Sequence, residues 1–212
     1  MGRKSNAKDR ILDSAAELIQ RQEFSSTSIE DILGCARVKK GSFYHYFDSK
    51  QALGLAVLDR QFVYPSEHLF RVFEEDLPPL QQISRFFQAT SGHLIRTAQA
   101  QGGLVCGCPF GNLAAEMSTR DEAFRCKTVA FFDIFHDQFS AALQRAVEQG
   151  ELSSDADVDL LSTRLLALWQ GSILLAKLHQ DVKLYANLVD GALALLEPHR
   201  IRRREERLLA GD

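Results

Sequence analysis

Lys39-Lys40-Gly41-Ser42-Phe43-Tyr44-His45-Tyr46-Phe47-Asp48-Ser49-Lys50 is the stretch on which the reading of this chain turns. A helix over 40–47, stepping about 100° per residue, gathers Phe43, Phe47 and Tyr46 on one side. Gly41 and His45 fall opposite, flanked by Lys40, Ser42 and Tyr44. One side is an aromatic foot for a core. The other offers a cation, a hydroxyl, a phenol and an imidazole around a glycine that permits close backbone approach. Such a face suits phosphate oxygens and base edges in a major groove. It also suits the polar side of a surface helix in a small bundle, and the helix by itself does not separate the two.

The residues upstream do. Thr27-Ser28-Ile29-Glu30-Asp31-Ile32-Leu33 predicts a second short helix, with Ser28 as N-cap and Asp31 closing a capping box. Cys35-Ala36-Arg37-Val38 leaves room only for a tight turn, so helix, turn and helix fit a helix-turn-helix unit. Val38-x-Lys40-Gly41-Ser42-x-Tyr44-x-x-Phe47-x-Ser49-Lys50 resembles the recognition-helix signature of the TetR (tetracycline repressor) family of transcriptional regulators. Two positions depart from it. Glu23 stands where the family usually has Gly before an aromatic, and Arg37 where Gly usually makes the turn. Both are therefore expected at φ > 0.

Working outward, 212 residues allow one large or two modest domains with ample apolar content for a core. The net charge of −3 is unevenly spread. Residues 1–50 carry 9 Lys/Arg against 7 Asp/Glu, residues 51–198 carry 11 against 18, and residues 199–212 carry 5 against 3. A basic head on an acidic body suits binding to DNA through one end. No run approaches the roughly 18–20 apolar residues of a membrane span, and the N-terminus lacks a signal-peptide core. Cys35, Cys106, Cys108 and Cys126 are too sparse for a secreted disulfide scaffold. A soluble cytoplasmic protein is expected.

The apolar stripe Ile11, Leu12, Ala15, Leu18, Ile19 predicts a first helix over 5–22, and Phe24 is expected to pack on Phe43 or Phe47. Its basic start (Arg3, Lys4, Lys8, Arg10) suits phosphates or a solvated terminus. After Lys50 a helix capped by Asp48 or Ser49 runs to Pro65, where a kink is expected, and resumes through Phe70 and Phe73 to Pro78-Pro79. Further helices are predicted over 80–99, 113–118, 120–149 closed by Gly150, one beginning at Asp155, and 184–196. The fold expected is all-α. It comprises a three-helix DNA-binding domain over 1–50 and a helical ligand-binding and dimerisation domain over 51–212.

The resemblance implies residue roles. Thr27, Lys40, Tyr44 and Lys50 are expected mainly at phosphates, Lys39, Gly41, Ser42 and His45 at bases, and Ser28 also among the DNA-binding residues. Gly107-Cys108-Pro109-Phe110-Gly111-Asn112 is similar to a stretch in a subset of the family whose cysteine at this place responds to electrophiles or oxidants. Pro109 at a first helical position would set Cys108 at a helix N-terminus, where a thiolate is favoured; a small buried thiol is the ordinary alternative. Phe86, Phe87, Phe110, Phe132, Phe135 and His136 are proposed to line an apolar ligand cavity with Cys108, although aromatics at this density also make plain core. Leu165, Leu168, Trp169, Ser172, Ile173, Leu188 and Leu195 are proposed at a dimer interface, with an internal core as the alternative.

No phosphate-binding loop, dinucleotide fingerprint, His-Glu-x-x-His or Gly-x-Ser-x-Gly occurs. Cys106-x-Cys108 with Cys126 or His93 is thin support for zinc, so no metal, cofactor or catalytic residue is expected. An all-helical enzyme would lack a paired acid and base. A DNA binder without a ligand would leave the body only dimerisation to perform. The expected function is a repressor released from a palindromic double-stranded DNA operator by a small-molecule inducer, acting as a homodimer away from membranes.

Overall fold

The computed structural model describes residues 7–188 and 190–201. It is all-helical, and no strand forms among the described residues beyond an isolated antiparallel bridge between Leu152 and Arg200. The helices are α1 (Ala7–Gln22), α2 (Ile29–Ala36), α3 (Lys40–Tyr46), α4 (Lys50–Tyr64), α5 (Pro79–Ala100), α6 (Pro109–Met117), α7 (Glu122–Glu148), α8 (Val158–His179), α9 (Val182–Leu188) and α10 (Asp190–Ala194). Arg3, Lys4 and the chain beyond Ile201 lie outside the described residues.

Two compact units form. The first holds the described residues up to Glu67 together with Cys106–Phe131; the second holds His68–Val105 and the described residues from Phe132 onward. The first boundary falls where the helical path changes. Beyond Tyr64 the expected kink at Pro65 takes the form of a π-helical turn, Pro65–Leu69, followed by a 3-10 turn, Phe70–Glu74. Proline cannot donate to the ladder, and its ring crowds the preceding turn, so α4 ends there.

Helix ends follow local chemistry. Ser28 and Asp31 form both halves of the capping box, and Ser49 caps α4 by accepting the Ala52 N–H. Pro109 occupies the first position of α6, with Cys108 at the N-cap. Gly150, at φ 70°, closes the long α7. Glu23 and Arg37 do lie at positive φ, 77° and 52°, as their replacement of Gly predicted.

In the first unit, Ile11, Ala15, Ile32, Phe43, Phe47, Leu53, Val57 and Leu58 make the core of the head. Tyr46 does not join the aromatic foot. Phe47 leaves the helix in an extended conformation and turns inward, and Tyr46 stays exposed. Phe24 packs on a different partner than expected, meeting Phe124 of α7 edge to face.

In the second unit, Phe86, Phe87, Phe135, Phe139 and Trp169 form one aromatic core, with Trp169 stacked on Phe135 at 4.4 Å and against Phe86 at 5.5 Å. This corrects the reading of Trp169 as a residue between subunits. At 3% exposure it is interior to its own chain, as are Leu165, Ser172 and Ile173. Leu168, beside Gly191, and Leu195 are half-buried, while the side chain of Leu188 lies outside those described. By length and composition α8 could cross a membrane, contrary to the expectation that no segment could. It carries Asp159, Arg164 and Lys177 and splits its apolar residues between the aromatic core and an exposed face.

Candidate nucleic-acid interface

The face expected to meet DNA is built on α3. Phe43 is fully buried and anchors the helix, with Phe47 5.8 Å away ring to ring. That anchor turns Lys39, Lys40, Gly41, Tyr44 and His45 to solvent, with Ser42 half-buried among them. Gly41 has open space where a Cβ would stand, so the fold does not demand glycine there. Lys40 reaches back to Glu30 of α2 at 3.2 Å. This exposed pair can exchange its carboxylate for a phosphate with little loss. Tyr44 leans edge-on to Phe43, and His45 to Tyr46.

The remaining expected contacts divide. Ser28 is half-buried, its side chain occupied by Asp31 in the capping box. Thr27 is a correction. It is 0% exposed, and its hydroxyl donates to the Glu23 carbonyl at 2.7 Å, so the side chain serves the turn before α2. Lys50 is drawn inward. Its Nζ donates to the Ser25 carbonyl at 3.3 Å and lies 4.5 Å over the Phe24 ring. Burial pulls its ammonium below the usual lysine range, although Glu116 pulls the other way.

That turn carries a feature absent from the sequence reading. The carboxylate of Glu116, on α6, accepts the Phe24 N–H at 2.8 Å and the Ser25 N–H at 2.7 Å. Gln51 donates to Asp121 at 2.6 Å, and Lys127 pairs with Asp59 at 2.5 Å. The Cys106–Phe131 segment is thus bonded to α4 and to the turn between α1 and α2. No local sequence pattern could have revealed this, because the partners lie 92 positions apart.

The proposed ligand residues divide between the two units. Phe110 and Cys108 belong to the first unit, where Phe110 stacks on Phe131 at 3.5 Å. Cys108 is half-buried, and its Sγ accepts the Gly111 N–H at 3.5 Å. Phe86, Phe87, Phe132, Phe135 and His136 belong to the second unit. Phe86, Phe87 and Phe135 are buried in its core, whereas Phe132 and His136 are half-buried; His136 Nε2 lies 3.5 Å from Asp159 and 3.4 Å from Thr163. Among the described residues no group of His, Cys, Asp and Glu is arranged to hold a metal ion.

Residues 11–57 match the family model described as bacterial regulatory proteins, tetR family, and residues 79–191 match the tetracyclin repressor-like C-terminal domain. The transcriptional regulator AcuR of Cereibacter sphaeroides is 32% identical over 175 residues, covering 82% of this chain and 78% of that protein. The HTH-type transcriptional repressor DhaR of a Mycobacterium species is 28% identical, covering 81% and 82%. Among solved structures, a regulatory protein TetR from Rhodobacter sphaeroides has a TM-score of 0.77 at 30% identity, covering 89% and 97%. The reduced form of Escherichia coli NemR has a TM-score of 0.74 at 25% identity, covering 90% and 97%.

Proposed function

The chain belongs to the TetR family of DNA-binding transcriptional regulators, and on that footing we propose that it is a repressor released from a palindromic operator by a small apolar or electrophilic inducer. The observation that carries the DNA half is the open surface at Gly41, ringed by exposed Lys39, Lys40, Tyr44 and His45 on a helix pinned by Phe43. Two such heads on a two-fold dimer would meet half-sites about 34–36 Å apart or a multiple of that. Lys39, Gly41, Ser42 and His45 read bases there, and Lys40 and Tyr44 hold phosphates. Regulators of this kind act in the cytoplasm.

For the inducer, Cys108 is the proposed point of covalent attack. The Gly111 N–H on its sulfur supports the reading, since a helix N-terminus stabilises negative charge. A noncovalent apolar inducer is favoured by a separate observation. The indole N–H of Trp169 is buried among Phe86 and Phe135 with no hydrogen-bond acceptor, and an inducer bearing a carbonyl or ether oxygen would supply one.

The test is an electrophoretic shift on the DNA upstream of the chain's own coding sequence, with N-ethylmaleimide as the electrophile. Wild type should bind and then release, while Cys108→Ser should bind and stay, with Cys106→Ser and Cys126→Ser behaving as wild type. Equal release from wild type and Cys108→Ser would leave the noncovalent inducer; no shift with any variant would refute the operator.

A further inference from the structure

We propose that Glu116 is a positioning residue for DNA binding: it clamps the turn between α1 and α2 and so sets the geometry of the DNA-facing head from helix α6. The proposal rests on the DNA-binding reading above and deepens it. Within the turn, Thr27 donates from its hydroxyl to the Glu23 carbonyl at 2.7 Å and from its N–H to the Phe24 carbonyl at 3.2 Å, and the Phe24 and Ser25 N–H groups find their acceptor on α6. The turn opens at Glu23, a non-glycine residue in the left-handed region, and must deliver Ser28 in position to cap α2. Its Phe24 and Ser25 N–H groups both donate to Glu116, one to each carboxylate oxygen. Hydrogen bonds to an ionised acceptor are roughly twice as strong as neutral ones.

Other contacts hold the same turn. Lys50 at the start of α4 donates to the Ser25 carbonyl and covers the Phe24 ring. Phe24 in turn packs edge-on to Phe124 of α7. Burial would raise the Glu116 carboxyl, but the hydrogen bonds from Ser25 and Phe24 and the nearby Arg120 charge outweigh it, and the group is held below the ordinary carboxylate range. It therefore stays ionised at neutral pH. Helix α6 begins at Pro109, so Glu116 stands on the nine-residue helix that Cys108, the proposed point of attack, caps.

The sign of one substitution separates positioning from simple charge. Removing an acid from a DNA-binding head makes it more positive, which by electrostatics alone tightens binding. Removing a clamp weakens it. Glu116→Gln keeps the volume but offers one carbonyl oxygen to two donors. It should lower affinity for the upstream duplex about tenfold, a magnitude set by a lost charge-assisted bond, with the salt slope unchanged because no phosphate contact is lost. Amide exchange at Phe24 and Ser25 should quicken about tenfold in the same variant. Glu116→Ala should lose more by both measures; if it does not fold, Glu116→Gln decides. Equal or tighter DNA binding by Glu116→Gln, or unchanged exchange at both amides, overturns the role of Glu116. A wild type that retards no DNA overturns the functional reading itself, a result distinct from wild-type binding that the variant leaves intact.

Discussion

The ring of Phe24 meets the ring of Phe124 edge to face, with centroids 4.9 Å apart and planes at 61°, and the two close over Gly54. A Cβ added to Gly54 would come within 2.6 Å of Phe24 and 2.7 Å of Phe124. Both rings are buried and cannot swing away. Gly54→Ala should therefore destabilise the protein, because overpacking costs about 1–3 kcal/mol and exceeds the gain of up to about 1 kcal/mol from helix propensity. Gly34 in α2 has open space at the same place. Gly34→Ala should raise the thermal midpoint, so opposite shifts in two melts check the prediction, and a stabilised Gly54→Ala would refute the packing argument.

Among the described residues, the non-glycine residues in the left-handed region are Glu23, Arg37 and Gln180. That region costs a residue with a Cβ about 1–2 kcal/mol, while glycine carries an entropic penalty of roughly 0.5–1 kcal/mol. Glu23→Gly and Arg37→Gly should each stabilise by about 0.5–1 kcal/mol. Gln180→Gly should do the reverse. The Gln180 side chain accepts the Val105 N–H at 3.0 Å and donates to the Val105 carbonyl at 3.1 Å, replacing a missing backbone partner. Urea midpoints measure all three. A stabilised Gln180→Gly would show that the paired bonds to Val105 contribute nothing.

What could be read from the sequence was local. Ser28, Asp31, Ser49, Pro109 and Gly150 announce helix ends because caps act within three or four residues. Phe43 follows from helical phasing, and Glu23 and Arg37 from the glycines they replace, whereas Phe47 is buried from an extended position just past the helix. Two features were not legible. The Glu116 clamp joins residues 91 and 92 positions apart, and no periodicity encodes such a pair. Trp169 failed for another reason. α8 is apolar around most of its circumference, and a pattern of that breadth does not say which arc faces its own chain.

His93 gives a pH dependence with a definite sign. Burial, then the charges of Arg96 and His68, depress it from the ordinary histidine value of 6.5 to about 4. The unfolded chain therefore takes up the proton first as pH falls. The stability tied to neutral His93 is whole above pH 6.5 and is lost on acidification towards pH 4, by up to about 3 kcal/mol in the limit of a complete shift. His93→Gln should flatten this part of the stability curve in urea titrations between pH 7 and 4.5. A curve unchanged by the substitution would assign the acid sensitivity to other groups.

The outward face of α8 is the surface expected to meet a second copy. Leu160, Ala167, Leu174, Leu175 and Leu178 are exposed, with Leu174 at 62% and Leu178 at 71%, while Gly171 offers a flat place among them. Their spacing follows one helical stripe, opposite the arc of Leu165, Trp169 and Ile173 that faces the aromatic core. A second copy would cover this stripe, each leucine contributing about 1–2 kcal/mol on burial. Leu174→Glu with Leu178→Glu should then sediment as single chains that melt cooperatively, since an unpaired charge is costly at an interface but not in water. Trp169→Asp should instead abolish folding, because its charge would lie inside the aromatic core. A double leucine variant of unchanged mass in sedimentation would remove α8 from the subunit contact, and a folded monomeric Trp169→Asp would return Trp169 to it.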